Sequence, residues 1–335
     1  MIKNFIGKCV ALLLVLTMQT VYMKLSNSYC GIFLSGMLLI AVAILIFQND
    51  GKIYIVANVV RNVIIACVGI IILPILQVLF LDKINYSATF IITVMFTILW
   101  GMLVIYFTID NCAIQVLFEN LLDVIYYITL IDLVLYFIGQ VFHIVSPTGF
   151  VTISWGGSQH IKHYLYMLFE AQARSYRSFK NGRFTGIFTE APMCSFILCS
   201  ALIIMLFLSE RKLNKFRLFV ICTAIYTTVS TTGYIISILA VLGYLATKKV
   251  NTNILLFIKI FVCIVASVIV VYYVYQIYEV KQLTDVTSVQ IRSENFQSAK
   301  KFFLQSPIIG YGYKSDRLGV VGGDTSVFSQ DRKSV

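Results

Sequence analysis

"RLFVICTAIYTTVSTTGYIISILAVLGYLAT", residues 217–247, decides how often this chain would cross a membrane. Read as one helix, the stretch is about 45 Å long at 1.5 Å per residue. Read as two, it is a short hairpin that breaks at Ser230–Gly233. Flanking charge separates the two readings. Arg211, Lys212, Lys215 and Arg217 precede the stretch, and Lys248 and Lys249 follow it. A hairpin puts both clusters on one side, as expected if cytoplasmic loops collect Lys and Arg. The Thr/Ser run and Gly233 suit a helix break. The hairpin is therefore the expected form.

The composition around it belongs to a polytopic membrane protein. Of 335 residues, 59% are hydrophobic and 12% charged, whereas soluble domains are roughly 45–50% apolar and about 25% charged. Spans need about 20 mostly apolar residues. The candidates are roughly 5–23, 31–47, 62–81, 89–109, 120–142, 190–209 and 254–276, besides the hairpin. The first follows Lys3 and Lys8 like a signal peptide, but it lacks a small-residue cleavage site and reads as a retained helix. The expected fold is all-α: one integral membrane domain over 1–335, about nine spans, the N-terminus inside, and two long extracytoplasmic loops at 143–189 and 277–335.

Charge supports that topology only in the short loops. Lys3, Lys8, Lys52, Arg61 and the six residues flanking the hairpin lie inside, against Lys24 and Lys83 outside. The two long loops are also basic, and the net charge is +11. Long translocated loops obey the rule weakly. Basic residues placed outside against the bias need a reason, and an anionic ligand supplies one. The 8 cysteines show neither metal spacing nor a disulfide framework. His143, His160 and His163 form no metal motif, and no nucleotide-binding fingerprint or nucleic-acid surface is present.

In the first long loop, Arg174, Arg177, Lys180 and Arg183 recur every third residue. On a helix that spacing makes a slanting ridge. Neighbours on it can grip a diphosphate, since Arg offers a planar fork to phosphate oxygens. The same residues also fit a solvated helix on the outer leaflet with "HYLYMLF" (163–169) against lipid. Then comes "RFTGIFTEAP", 183–192. Thr189 suits a helix cap, Glu190 and Pro192 suit a first turn, and Gly186 permits close backbone approach. Capping explains Thr189 to Pro192 without any function, but leaves Arg183 and Gly186 unexplained. Glu190 is the candidate base and Arg183 a candidate ligand for anionic substrate.

The second long loop holds "QIRSENFQSAKKFFLQSPIIGYGYKS", 290–315. Arg292 and Glu294 open an amphipathic helix, and Pro307, Gly310 and Gly312 stop it. Tyr311 and Tyr313 suit either sugar stacking or packing. Within the spans, Asp123 and Asp132 are costly acids and so functional candidates. Asp123 also suits the interface, and Asp132 a bond to a neighbouring helix.

"RFTGIFTEAP", "STTGYIISILAVLGYL" (230–245) and "IRSENFQSAKKFFLQSPIIGYGY" (291–313), in this order and with two long outer loops, resemble the bacterial O-antigen and capsular polysaccharide polymerases of the Wzy type. That family belongs to the superfamily containing the O-antigen ligases. The resemblance covers about residues 120–330. It implies a metal-independent, cofactor-free membrane glycosyltransferase of the bacterial cytoplasmic membrane. Such an enzyme joins undecaprenyl-diphosphate-linked oligosaccharide repeat units, alongside a flippase and a chain-length regulator. It implies Arg183 and Arg292 as diphosphate ligands, with Arg174, Arg177 and Gly186 beside them. Three departures stand out. Thr231 replaces the arginine that ligase-type relatives often carry after the hairpin serine, no histidine follows His163, and the chain stops at "DRKSV" where relatives continue. The last suggests a C-terminal truncation. A ligase, or a flippase or transporter of lipid-linked sugars, remains the alternative. A flippase would scatter polar residues through its spans, whereas here polarity gathers in two loops.

Overall fold

The computed structural model describes residues 2–26, 29–47, 57–80, 86–109, 112–154, 158–172 and 182–247, with a few positions beyond, among them 296–301 and 303–305. Of the described residues, 74% are helical. Helices α1 (Ile2–Thr17), α2 (Cys30–Phe47), α3 (Ala57–Phe80), α4 (Tyr86–Ile109), α5 (Ala113–Leu135), α6 (Ala191–Ile203), α7 (Lys215–Thr227) and α8 (Thr231–Thr247) follow the expected apolar segments. Both α5 and α6 continue as a wider π-helical turn, Tyr136–Val141 and Ile204–Leu208. Three described helical stretches are long and apolar enough to cross a membrane: Cys30–Phe47, Ala113–Val141 and Ala191–Leu208. Their outward faces are apolar as well. Ile32, Phe33 and Phe47 on α2, and Tyr127, Ile131 and Val134 on α5, are exposed. That is the expected arrangement where hydrocarbon, not water, is the solvent. The expected span at 254–276 and most of the second long loop lie outside the described residues.

The 217–247 stretch is two helices, as expected, but the expected breaker Gly233 lies inside the second. Helices α7 and α8 separate at Thr228–Ser230. Asn214 caps α7, its side-chain carbonyl accepting from the N–H groups of Phe216 and Arg217.

The chain divides into two compact units. One comprises residues 1–6, 35–114 and 281–335. In it α3 packs on α4, and the crossing needs a small residue. A Cβ on Gly101 would stand 2.9 Å from Cys67 Sγ and 3.0 Å from Val63 Cγ1. The other unit comprises 7–34 and 115–280 and holds the larger core. Its central element is α6, against which α7 and α8 both pack. Cys194, Ser195, Leu198, Cys199, Ala201 and Leu202 of α6 are all essentially inaccessible.

The first long loop departs from the all-α expectation. It carries a three-stranded antiparallel sheet, β1 (Gly149–Ser154), β2 (Ser158–Tyr164) and β3 (Leu168–Phe169), in the order β1-β2-β3. Gly149 pairs with His163, Ser154 with Ser158, and Tyr164 with Leu168. Val151 and Ile153 alternate with polar neighbours, as do Ile161 and His163, and this period of two suits a strand with one buried face. Ile153, Ile161 and Phe169 close that face over Val21. "HYLYMLF" is thus not an apolar helix on the leaflet. It is the end of β2, a tight turn and β3. The turn places Leu165 and Tyr166 at φ 51° and 58°, with Met167 N–H donating to Tyr164 O at 2.9 Å. Two successive left-handed residues open the three-residue loop between paired Tyr164 and Leu168, a geometry that matches strand twist and is normally supplied by Asn-Gly. Here outside partners hold it instead. Thr148 Oγ1 accepts from Leu165 N–H at 2.9 Å, Tyr22 donates its hydroxyl to Tyr166 O, and the Tyr166 ring stacks on His163 at 4.0 Å.

Candidate functional site

The "RFTGIFTEAP" segment is an irregular stretch buried in the larger unit. A buried loop has to place its backbone polar groups one by one, and here four elements share the task. From α5, Tyr136 donates its hydroxyl to Gly182 O at 3.2 Å and meets Phe184 edge-on, ring centres 5.4 Å apart. From the sheet, Phe169 N–H donates to Gly186 O at 3.0 Å, while Thr185 donates its hydroxyl to Phe169 O at 2.6 Å. From the chain leaving α1, Val21 N–H donates to Ile187 O at 2.9 Å, and the Thr189 hydroxyl donates to Gln19 O at 3.1 Å. From α7, Thr227 O accepts from Phe184 N–H at 3.1 Å.

Two glycines are left-handed, Gly182 just before the segment at φ 77° and Gly186 within it at φ 55°. Gly186 also explains itself by proximity. A Cβ there would stand 2.7 Å from Asp132 Oδ2. The backbone approach that its sequence context suggested is real, and its partner is the intramembrane acid. Ile187 donates its backbone N–H to the same carboxylate. Asp132 is 2% exposed. It borders a cavity about large enough for one water molecule, lined also by Thr129, Phe184, Phe188 and Cys194.

The α6 cap is not the expected one. Glu190 in extended conformation holds the N-cap position, with Pro192 in the first turn where a missing N–H costs nothing. Thr189 spends its hydroxyl on Gln19 instead. The first helical N–H, that of Ala191, donates to Gln172 Oε1 at 3.2 Å. Gln172 is a residue that the sequence did not mark, because this acceptor arrives from the far end of the loop. Glu190 is half-buried at the helix start.

Arg183 is half-buried too and reaches the hairpin. Its Nε donates to Thr228 O at 2.9 Å and its Nη2 to Val229 O at 3.1 Å. The turn that it grips continues into α6 through Ser230, whose Oγ is 2.9 Å from Ser195 Oγ. Of the sequence candidates, the structure thus gathers Arg183, Gly186 and Glu190 in one buried segment, wired to Asp132 and to the α7–α8 turn. Arg174, Arg177 and Arg292 lie outside the described residues.

At the far end of α5 a second polar cluster forms. Arg211 Nη1 lies 2.9 and 3.0 Å from the two Asp123 oxygens, Arg217 Nη1 lies 2.6 Å from Oδ1, and Arg211 Nε lies 2.7 Å from Glu119 Oε2. Asp123, foremost through this hydrogen bond, holds the Arg211 guanidinium above its ordinary pKa. These arginines, read from sequence as topology signals, are also ion-paired to the span beside them.

Residues 216–330 match the family model described as O-antigen ligase. By that match this part of the chain is similar to the O-antigen ligase/polymerase-like superfamily. The matched region opens with α7, α8 and the turn held by Arg183. No curated protein sequence matches the chain, and no solved structure does. The three long apolar helices are those of a membrane protein, and residues 216–330 are what likens it to the O-antigen ligase family.

Proposed function

We propose that the chain is a repeat-unit polymerase working at the outer face of the bacterial cytoplasmic membrane. It has about nine spans and a cytoplasmic N-terminus. A growing glycan leaves its undecaprenyl diphosphate and joins the non-reducing end of the next lipid-linked repeat unit. The acceptor hydroxyl oxygen forms the new bond to the donor's anomeric carbon. The carbon–oxygen bond to diphosphate breaks, and its electron pair leaves with the lipid diphosphate. The hydroxyl proton passes to a base, for which Glu190 at the start of α6 is the candidate. Arg183 and Arg292, with Arg174 and Arg177, stabilise the departing diphosphate. The chemistry so written needs no metal. A flippase supplies the lipid-linked units, and a chain-length regulator acts on the product.

The observation that carries this reading is the direct link between the first-loop arginine and the hairpin turn inside the matched region. Arg183, from a motif outside the matched region that resembles the family, hydrogen-bonds the turn inside that region. Arg183→Ala or Arg292→Ala is expected to leave the protein inserted, to abolish long-chain product and to accumulate single-repeat glycan. Normal chain-length ladders from both variants would overturn the assigned roles.

A ligase reading follows from the O-antigen ligase family that residues 216–330 match. The acceptor separates the two. Purified protein given only lipid-linked repeat units should elongate them. Transfer that occurs only when a different acceptor is added would make it a ligase.

A further inference from the structure

The α7–α8 turn is strained where Arg183 grips it. Val229 sits at φ 49°, and for a β-branched side chain the left-handed region is a genuine outlier. The turn is also buried, Thr228 at 0% and Ser230 at 3% exposure. Its carbonyls lie just past the last turn of α7, where no helical N–H remains to bond them and where a cation complements the helix dipole. One guanidinium answers all of this, through Nε on Thr228 O and Nη2 on Val229 O. The consequence extends into α8. Ser230 meets Ser195 of α6, and Gly233 packs so closely that a Cβ would stand 2.8 Å from Ser195 Cβ. The direction in which the chain leaves Val229 therefore sets how α8 seats on α6.

We infer that Arg183 is a positioning residue for the Thr228–Ser230 turn: its guanidinium holds Val229 in the left-handed conformation and so fixes the start of α8 against α6. This rests on the proposed function in that the turn borders the glycan-transfer site. It adds a task that Arg183 performs before any substrate arrives. The backbone tie from Phe184 N–H to Thr227 O survives loss of the side chain, so the Ala variant keeps part of the connection.

The test is a double-variant cycle on the full chain purified in detergent, using Arg183→Ala, Val229→Gly and both together. Glycine adopts φ near +50° without strain, so it removes the need for the clamp. Arg183→Ala should lower the unfolding midpoint by about 3–6 °C. Val229→Gly should change the wild type little and restore at least half of that loss in the double variant. Additive midpoints, with no restoration, would overturn the inference whatever the activity. Given restoration, the product ladder made from lipid-linked repeat units sorts the roles. A recovered ladder shows that positioning is all that Arg183 contributes. A stable but inactive double variant shows positioning together with the diphosphate contact. If the wild type itself elongates nothing, the polymerase reading fails, while the midpoints still decide the positioning role.

Discussion

Gly186 and Asp132 are locked together: the glycine turns at φ 55° with its α-carbon face set against the carboxylate, and the next residue's N–H donates to that carboxylate. An acid within a span is expensive unless something answers it. Here the first-loop motif answers it, by sending backbone where a side chain would not fit. Loop and span thereby specify each other. The loop can be buried because α5 offers an acceptor, and the acceptor is tolerable because the loop covers it.

Gly186→Ala should therefore be among the most damaging single-methyl changes in the chain. Left-handed backbone costs an L-residue about 1–2 kcal/mol, and overpacking adds roughly 1–3 kcal/mol. The expected outcome is a large fall in folded yield and unfolding midpoint for protein extracted in mild detergent. An unchanged midpoint would mean that the segment does not seat on Asp132 as described.

The α6–α8 crossing gives a second steric test, independent of the loop. Gly233→Val has to push Ser195 away, against a backbone already fixed by the Ser230 and Cys199 contacts, the latter Sγ–H to Gly233 O at 3.4 Å. Overpacking of this kind costs about 1–3 kcal/mol. Among the described residues, a Cβ on Gly243 would meet only the Phe207 ring end, at 3.4 Å, so Gly243→Ala should be mild. Equal midpoints for Gly233→Val and Gly243→Ala would contradict the close crossing.

The helices were legible because hydrocarbon imposes length and apolarity on them, and flanking charge chose two helices over one in 217–247, although the break falls at Thr228–Ser230 and the expected breaker Gly233 lies inside α8. The sheet was not. Its turn uses Leu165 and Tyr166 where a hairpin normally advertises itself with Asn-Gly, so nothing local marks it. Of the site, Arg183 and Gly186 stood out as residues that capping left unexplained, and Asp132 as a costly acid within a span. Their partners did not, because Thr228, Val229 and Gln172 contribute main-chain or amide oxygen, which any residue type or a common polar one can supply.

The ion cluster on α5 predicts asymmetric costs. Asp123 has two arginine partners, and Arg217 also lies over the Tyr126 ring at 4.9 Å. Removing Asp123 leaves Arg211 and Arg217 beside a span with Glu119, the ion partner of Arg211, as the acid that stays. Removing Arg211, half-exposed at 50%, leaves Asp123 with Arg217. Asp123→Ala should cost about 2–4 kcal/mol, and Arg211→Ala about 1 kcal/mol or less after solvent screening. Chemical or thermal unfolding of both variants decides this, and a larger loss from Arg211→Ala would reverse the assignment.

His163 makes the first loop sensitive to acid. It is 3% exposed, with Nδ1 3.0 Å from Thr148 Oγ1 and its ring on Tyr166. Burial lowers its pKa from the ordinary 6.5. The folded state then binds fewer protons than the unfolded state, so stability rises with pH through this window. The contribution is fully present above pH 6.5 and is lost as pH falls below it, because the imidazole has to charge in a dry site. Limited proteolysis of the 143–172 region should therefore be faster at pH 5.5 than at pH 7.5. His163→Phe, which keeps the stack and cannot charge, should flatten that dependence, although losing the Thr148 bond raises the baseline rate by an amount equal at both pH values. Wild type and His163→Phe showing the same pH dependence would place the acid response in some other group.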